Sequence, residues 1–133
     1  AGDTSVGNCF SEIGRRFPSL DAAMLPIGGY DPPWFMERHH LNPEQAGQAF
    51  LELEATRLVP MHWGTFQLTD EPLSEPAERV RSWWSEAKPD AGRRLALLPV
   101  GGQRRLPVVG RRQRDRSGFR FYLCLGKGPV RSA

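Results

Sequence analysis

Asn42-Pro-Glu-Gln-Ala-Gly-Gln-Ala-Phe-Leu-Glu-Leu53, then, after a four-residue gap, Leu58-Val-Pro-Met-His-Trp-Gly-Thr65, is the stretch that decides the fold class. Asparagine is a strong helix cap, proline suits the first helical position, and Glu44 with Gln45 place acceptors in the first turn. Ala46, Phe50 and Leu53 then recur at i, i+4 and i+7, one core-facing stripe. Leu58 to Met61 reads as a buried strand that hands over at its carboxyl end to His62-Trp63-Gly64-Thr65.

The same alternation extends in both directions. Upstream, Phe10, Ile13 and Phe17 predict a short helix over 8–16, capped by Asn8 and closed by Pro18. Asp21-Ala-Ala-Met-Leu-Pro-Ile27 predicts a buried strand running into Gly28-Gly29, and Pro26 places its end at an edge or bulge. Residues 28–40 read as a loop whose Trp34-Phe35-Met36 cluster is expected to pack in the core. Downstream, Val80, Trp83, Trp84 and Ala87 share one face of a helix over 76–87, and Leu95 to Val100 reads as another strand. Ala1-Gly-Asp-Thr4 reads as the end of a strand met part-way, as if the chain were a piece of something longer. Strands alternating with helices make an α/β fold, in which functional residues sit just past the carboxyl ends of strands. Asp3 and His62 both fall at such places.

Composition narrows the function classes. A 133-residue chain with 39% hydrophobic and 25% charged residues has the makings of one packed domain rather than a disordered segment. No apolar run approaches the ~20 residues that a membrane-spanning helix needs, and no secretory signal pattern is visible in these residues, so none is expected. Cys9 and Cys124 are too few for a disulfide framework or a four-cysteine zinc site. The expected location is cytoplasmic, or peripheral to a membrane. Charge is uneven: residues 1–100 carry nine Lys+Arg against fourteen Asp+Glu, a balance of −5, while residues 101–133 carry nine against one, a balance of +8. The basic character therefore belongs to the tail.

Three residues stand out for chemistry. Asp3 lies in a Gly-Asp-Thr turn, where it is either an Asx-turn residue or a metal-bridging carboxylate. His62 is either a core histidine hydrogen-bonded through both nitrogens or a zinc ligand, with Gly64 leaving room nearby. His39 and His40 are adjacent and point apart, so at most one faces a site; His40, just before the Asn42 cap, is the one placed to donate to an anion. Gly28-Gly29 is no phosphate loop, since no Lys-Ser/Thr follows.

Ala1-Gly-Asp-Thr4, Leu25-Pro-Ile-Gly28, Trp34-Phe-Met36, His40-Leu-Asn-Pro-Glu44 and Met61-His-Trp-Gly-Thr-Phe66 occur together and in this order. In this the chain resembles the carboxyl-terminal half of the metallo-β-lactamase superfamily, in particular the branch of N-acyl phosphatidylethanolamine phospholipase D. Separations of 37 residues from Asp3 to His40 and 22 from His40 to His62 fit that branch. The resemblance implies half of an αββα sandwich over residues 1–106 and, in the complete enzyme, a centre of two zinc ions. It makes Asp3 the carboxylate that bridges both ions, His62 a ligand of the second, and His40 a contact of the substrate phosphate. A carboxylate can span two cations ~3.5–4 Å apart, and neutral imidazole suits zinc. The implied reaction is hydrolysis of a phosphodiester, a phospholipid or a related compound, by metal-activated hydroxide attacking phosphorus in line.

The superfamily's His-x-His-x-Asp-His signature is absent, and His39, His40 and His62 are the chain's three histidines. Zinc takes about four ligands, and one shared Asp with one His cannot hold two ions tightly. The expectation is therefore a hydrolase fragment, inactive and poorly stable alone, whose partner is a complementary amino-terminal half. Residues 107–133 match nothing in the family, and their charge reversal reads as translation of a shifted frame before it reads as a basic arm. The alternative function is a non-catalytic binding module whose basic tail takes nucleic acid or anionic lipid; nucleic acid is not the expected partner, while peripheral membrane contact is compatible with the first reading.

Overall fold

The computed structural model describes residues 1–105. Its elements run α1 (Cys9–Arg16), β1 (Ala23–Pro26), α2 (Pro33–Met36), α3 (Pro43–Glu52), β2 (Arg57–Met61), α4 (Glu75–Ala87) and β3 (Arg94–Leu95). The three strands form one parallel sheet in the order β1-β2-β3.

Parallel neighbours need a crossover, and the chain supplies it with helices. Of these α3 is the best defined. Asn42 accepts a hydrogen bond from the Gln45 amide at 2.8 Å, and the Gln45 side chain accepts one from the Asn42 amide at 2.9 Å, a reciprocal cap with Pro43 in the first turn. Asn8 precedes α1 as expected, but it has helical backbone angles (φ −69°, ψ −5°) and its side chain caps nothing. A cap residue normally has extended angles, which aim its side chain back at the first amides.

Register decides which face of the sheet is covered. Ala23 pairs with Leu58 and Met24 with Val59, so alternation places Ala23, Leu25 and Leu58 on one face and Met24 and Val59 on the other. The first set belongs to a buried cluster with Phe10 of α1, Ala46, Ala49 and Phe50 of α3, and Val80 of α4. Met24 lies outside that cluster and is 49% exposed, so the helices gather on one side of the strands.

Several expectations are corrected here. The strand expected over 21–27 is Ala23–Pro26, and the one expected over 95–100 is Arg94–Leu95. Residues 1–4 form no strand, although the Ala1 nitrogen donates to the Met24 carbonyl at 2.9 Å. The loop expected over 28–40 contains α2, and its aromatics are not core: Trp34 is 78% and Phe35 61% exposed. Within the single turn of α2 it is Met36 that is half-buried, while Trp34 and Phe35 point outward. Ala87 is exposed, so the inward stripe of α4 is Pro76, Ala77 and Val80, with Trp83 and Trp84 half-buried beside it. Trp84 stacks at 5.6 Å from Phe50, and Trp83 fills the space left by Gly47, where a Cβ would stand 2.5 Å from its ring. Phe119, Phe121, Leu123 and Leu125 alternate with Arg120, Tyr122 and Cys124, a weak strand signal in the sequence that lies outside the described residues.

The approach of α1 to the end of α3 depends on Gly14, where a Cβ would stand 2.3 Å from the Glu52 carbonyl oxygen. Gly14→Ala is expected to lower unfolding free energy by about 1–3 kcal/mol through overpacking against backbone. Gly7→Ala, which meets nothing within 4 Å, is expected to have little effect in the same denaturant melts.

Candidate metal centre

The in-register pairing of β1 with β2 runs to Pro26 and Met61, and the Ile27 amide continues it by donating to the Met61 carbonyl at 3.0 Å. The loops that leave the two strands therefore start side by side. One begins with Gly28-Gly29 and the other with His62-Trp63. A Cβ on Gly28 would stand 2.4 Å from the His62 carbonyl oxygen, and Gly29 has φ +81°. Both positions require glycine, the first for close approach and the second for its left-handed backbone. His62 itself has φ +59°, an uncommon conformation for a residue with a Cβ and one that gathers at functional turns.

Three segments converge at this edge. His62 arrives on the end of β2, Asp3 on the segment before α1, and His40 on the residue before Leu41, which is fully buried at the base of α3. One donor atom from each of Asp3, His40 and His62 lies within 4.8 Å of the other two. His62 Nε2 is 3.3 Å from Asp3 Oδ1, and His40 Nε2 is 3.9 Å from the same oxygen. The two imidazoles stand 5.4 Å apart, centre to centre. All three sequence candidates thus meet, while His39 is exposed away from them.

The donor set fits a divalent cation. Ligands about 2.0–2.1 Å from a tetrahedral ion lie about 3.3–3.4 Å apart, the His62–Asp3 separation. The His40–Asp3 separation is too wide for that edge. His40 is also the more buried imidazole, with its side chain 14% exposed against 36% for His62. Burial lowers its pKa below the ordinary histidine value, against the opposing pull of Asp3. Its Nδ1 is buried with no hydrogen-bond partner among the described residues. Orphaned buried N–H groups are rarer than orphaned acceptors, so the proton of neutral His40 belongs on Nε2, the nitrogen facing Asp3.

Beside His62 opens a cavity of about 260 Å³, lined by Trp63, Phe66, Leu68, Leu73 and Pro76 on its apolar side and by Glu71 on its polar side. Glu71 is 6% exposed and its carboxylate accepts from the Gly29 amide at 2.5 Å and the Asp31 amide at 3.1 Å. Sequence reasoning missed it, because an acid nine residues past a histidine carries no pattern of its own. The glycine pair at a strand end was the available signal, since such a pair marks close backbone approach.

With this geometry in place, comparison with known proteins identifies the lineage. The family model described as the beta-lactamase superfamily domain matches residues 1–63. The metallo hydrolase Igni18 of Ignicoccus hospitalis superimposes with a TM-score of 0.52 at 27% identity, over 77% of this chain and 37% of that one. The chain belongs to the metallo-β-lactamase superfamily. An uncharacterised Mycobacterium tuberculosis protein is 38% identical over 106 residues, 77% of this chain and 27% of that protein. The N-acyl-phosphatidylethanolamine-hydrolyzing phospholipase D 1 of Caenorhabditis elegans is 38% identical over 82 residues, 60% of this chain and 23% of the enzyme. The chain thus spans about a quarter of the length of these relatives. Its parallel sheet with helices on one face is the α/β architecture expected from the sequence. No helix among the described residues is long and apolar enough to cross a membrane.

Burial pushes the Glu71 carboxyl up, but hydrogen bonds from the Gly29 amide, the Thr69 side chain and the Asp31 amide outweigh it and hold the group below the usual carboxylate range. A carboxyl whose pKa is depressed by folding stabilises the fold above its unfolded pKa, and that contribution is lost as pH falls through the folded value. Unfolding free energy is therefore expected to drop as pH falls below 4.5, the ordinary value for this group. Glu71→Gln should flatten that acid limb in urea melts run between roughly pH 3 and pH 6.

Proposed function

We propose that Asp3 and His62 are ligands of a divalent-metal centre, zinc by the chemistry of the donors, in a hydrolase whose substrate is a phosphodiester with an apolar portion. The observation that carries this reading is the 3.3 Å separation of His62 Nε2 and Asp3 Oδ1 at the carboxyl edge of a parallel sheet. The names of two similar proteins support it, one a metallo hydrolase and one a phospholipase.

Bound zinc supplies Lewis acidity and makes a coordinated water more acidic. The chain's own residues do the rest. Asp3 has two oxygens, only one of which faces the histidines in the distances above, so its carboxylate can serve more than one cation. His40, neutral at pH 7, presents the Nε2 proton to an oxygen of the bound phosphate. Because His40 enters neutral, it adds no competing positive charge beside the cation. The apolar side of the cavity, with Phe66 and Leu68 at its exposed rim, accommodates a hydrocarbon part of the substrate next to the reacting phosphorus.

Among the described residues, Asp3, His40 and His62 are the one group of three metal-type side chains whose donor atoms gather within 4.8 Å, and of these Asp3 and His62 have the spacing of ligands on one ion. One Asp and one His do not saturate a zinc ion, let alone two. Hydrolysis therefore requires further ligands, which we place on a complementary segment bearing His-x-His-x-Asp-His.

Zinc or cobalt titration of the 133-residue chain is expected to show weak binding that Asp3→Ala and His62→Ala each lower by at least about tenfold, or about 1.4 kcal/mol. His40→Ala should change it far less, and a loss equal to that of His62→Ala would make His40 a ligand instead. Bis(p-nitrophenyl) phosphate is expected to be hydrolysed only when the complementary segment is added. Turnover by the 133-residue chain alone would overturn the ligand count.

A further inference from the structure

We infer that Glu71 is a positioning residue for His40 and His62, acting through the backbone of Gly29. This inference rests on the roles given to those histidines above.

Glu71 follows His62 by nine residues and is not one of the metal-type donors, yet it is almost fully buried beside them. Its two carboxylate oxygens are divided between two amides of the other loop, Oε1 with Gly29 and Oε2 with Asp31. The two loops are joined again where the Asp70 amide donates to the Asp31 carbonyl at 3.2 Å. Gln67 braces the Glu71 segment from its own side, its Nε2 donating to the carbonyls of Thr69 at 2.8 Å and Glu71 at 2.6 Å. The carboxylate thus closes the loop after β2 onto the loop after β1.

What it holds in place is a wall of backbone. A Cβ on Gly29 would stand 3.0 Å from His40 Cδ2 and 3.4 Å from His62 Cε1, so the Gly29 backbone lies against both imidazoles at once. Among the described residues, neither ring is fixed by a hydrogen bond through its remote nitrogen in the usual manner of a ligating histidine. His40 Nδ1 is buried with no partner among the described residues. Packing against Gly29 is therefore a main restraint on where the His40 ring points, and that backbone is set by charge-assisted hydrogen bonds to Glu71. A carboxylate can accept from two amides, whereas a glutamine has a single acceptor oxygen. Glu71→Gln keeps the size of the side chain and releases one of the two amides.

The test uses the 133-residue chain in its metal-free form, with nuclear Overhauser contacts from Gly29 Hα to His40 Hδ2 and His62 Hε1 as the readout. In Glu71→Gln both contacts are expected to weaken and both imidazole signals to shift. Glu12→Gln, which removes exposed ion pairs with Arg15 and Arg16 within α1, should leave them in place. Contacts and ring signals unchanged in Glu71→Gln would reduce Glu71 to a loop tie and overturn the proposal. Glu71→Ala is a second variant, and the glutamine form decides the matter if the alanine form does not fold. Zinc titration of the same samples separates the two readings. Wild-type binding that falls about 10- to 100-fold in Glu71→Gln supports both. Perturbed ring contacts with no zinc uptake by the wild type would sink the metal reading and leave the positioning role standing. Equal zinc affinity with undisturbed contacts would do the reverse.

Discussion

The parallel register of β1 on β2 is the constraint from which the rest of the site follows. Pairing Ala23 with Leu58 makes Pro26 end level with Met61, so two loops leave the sheet side by side. A slip of one residue would carry Leu25 and Leu58 off the helix-facing side, and the loss of that burial holds the register in place. Leu25 and Leu58 are 2% and 0% exposed, and burial of each such side chain contributes about 1.5–3 kcal/mol. The position of His62 beside Gly28 and Gly29 is thus fixed by apolar contacts some distance from any polar chemistry.

A second layer of constraint lies around the ends of α3 and α4. Arg79 donates to both oxygens of Glu44, at 3.0 and 2.6 Å, and to Glu75 at 3.3 Å, while its guanidinium lies 4.6 Å from the centre of the Tyr30 ring. The Tyr30 hydroxyl donates to Glu75 at 2.8 Å, which together with burial pushes its pKa above the ordinary value. The Arg79 side chain is 34% exposed, so solvent screens these pairs and their net stabilisation is small. Their importance is directional. The network ties the first turns of both helices to the loop that carries Gly29, and Glu71 ties that same loop to the residues after His62.

The site is therefore assembled from residues that are individually ordinary. An aspartate in a turn, a histidine after a strand and another before a helix each have a bland local explanation. They acquire a common chemistry because three segments, separated by 37 and 22 residues, end at one edge of one sheet. Membership of the metallo-β-lactamase superfamily agrees with this placement, since open α/β sheets put their sites beyond the carboxyl ends of the strands.

The sequence by itself determined the alternation of elements, the capped helix at Asn42, the buried strand before His62 and the three residues that meet at the site. These are local matters: side-chain periodicity, cap chemistry and chain direction act over a few residues, and the order of the motifs carries the family resemblance. Tertiary structure alone decided that Trp34 and Phe35 lie outside the core, that α4 turns Pro76, Ala77 and Val80 inward rather than Ala87, and that Glu71 stands beside the histidines. Each of these depends on which surface another segment covers. The role of Glu71 shows the reason most directly, because its two hydrogen bonds reach back 42 and 40 residues to amides of Gly29 and Asp31 that become neighbours only once β1 and β2 have paired.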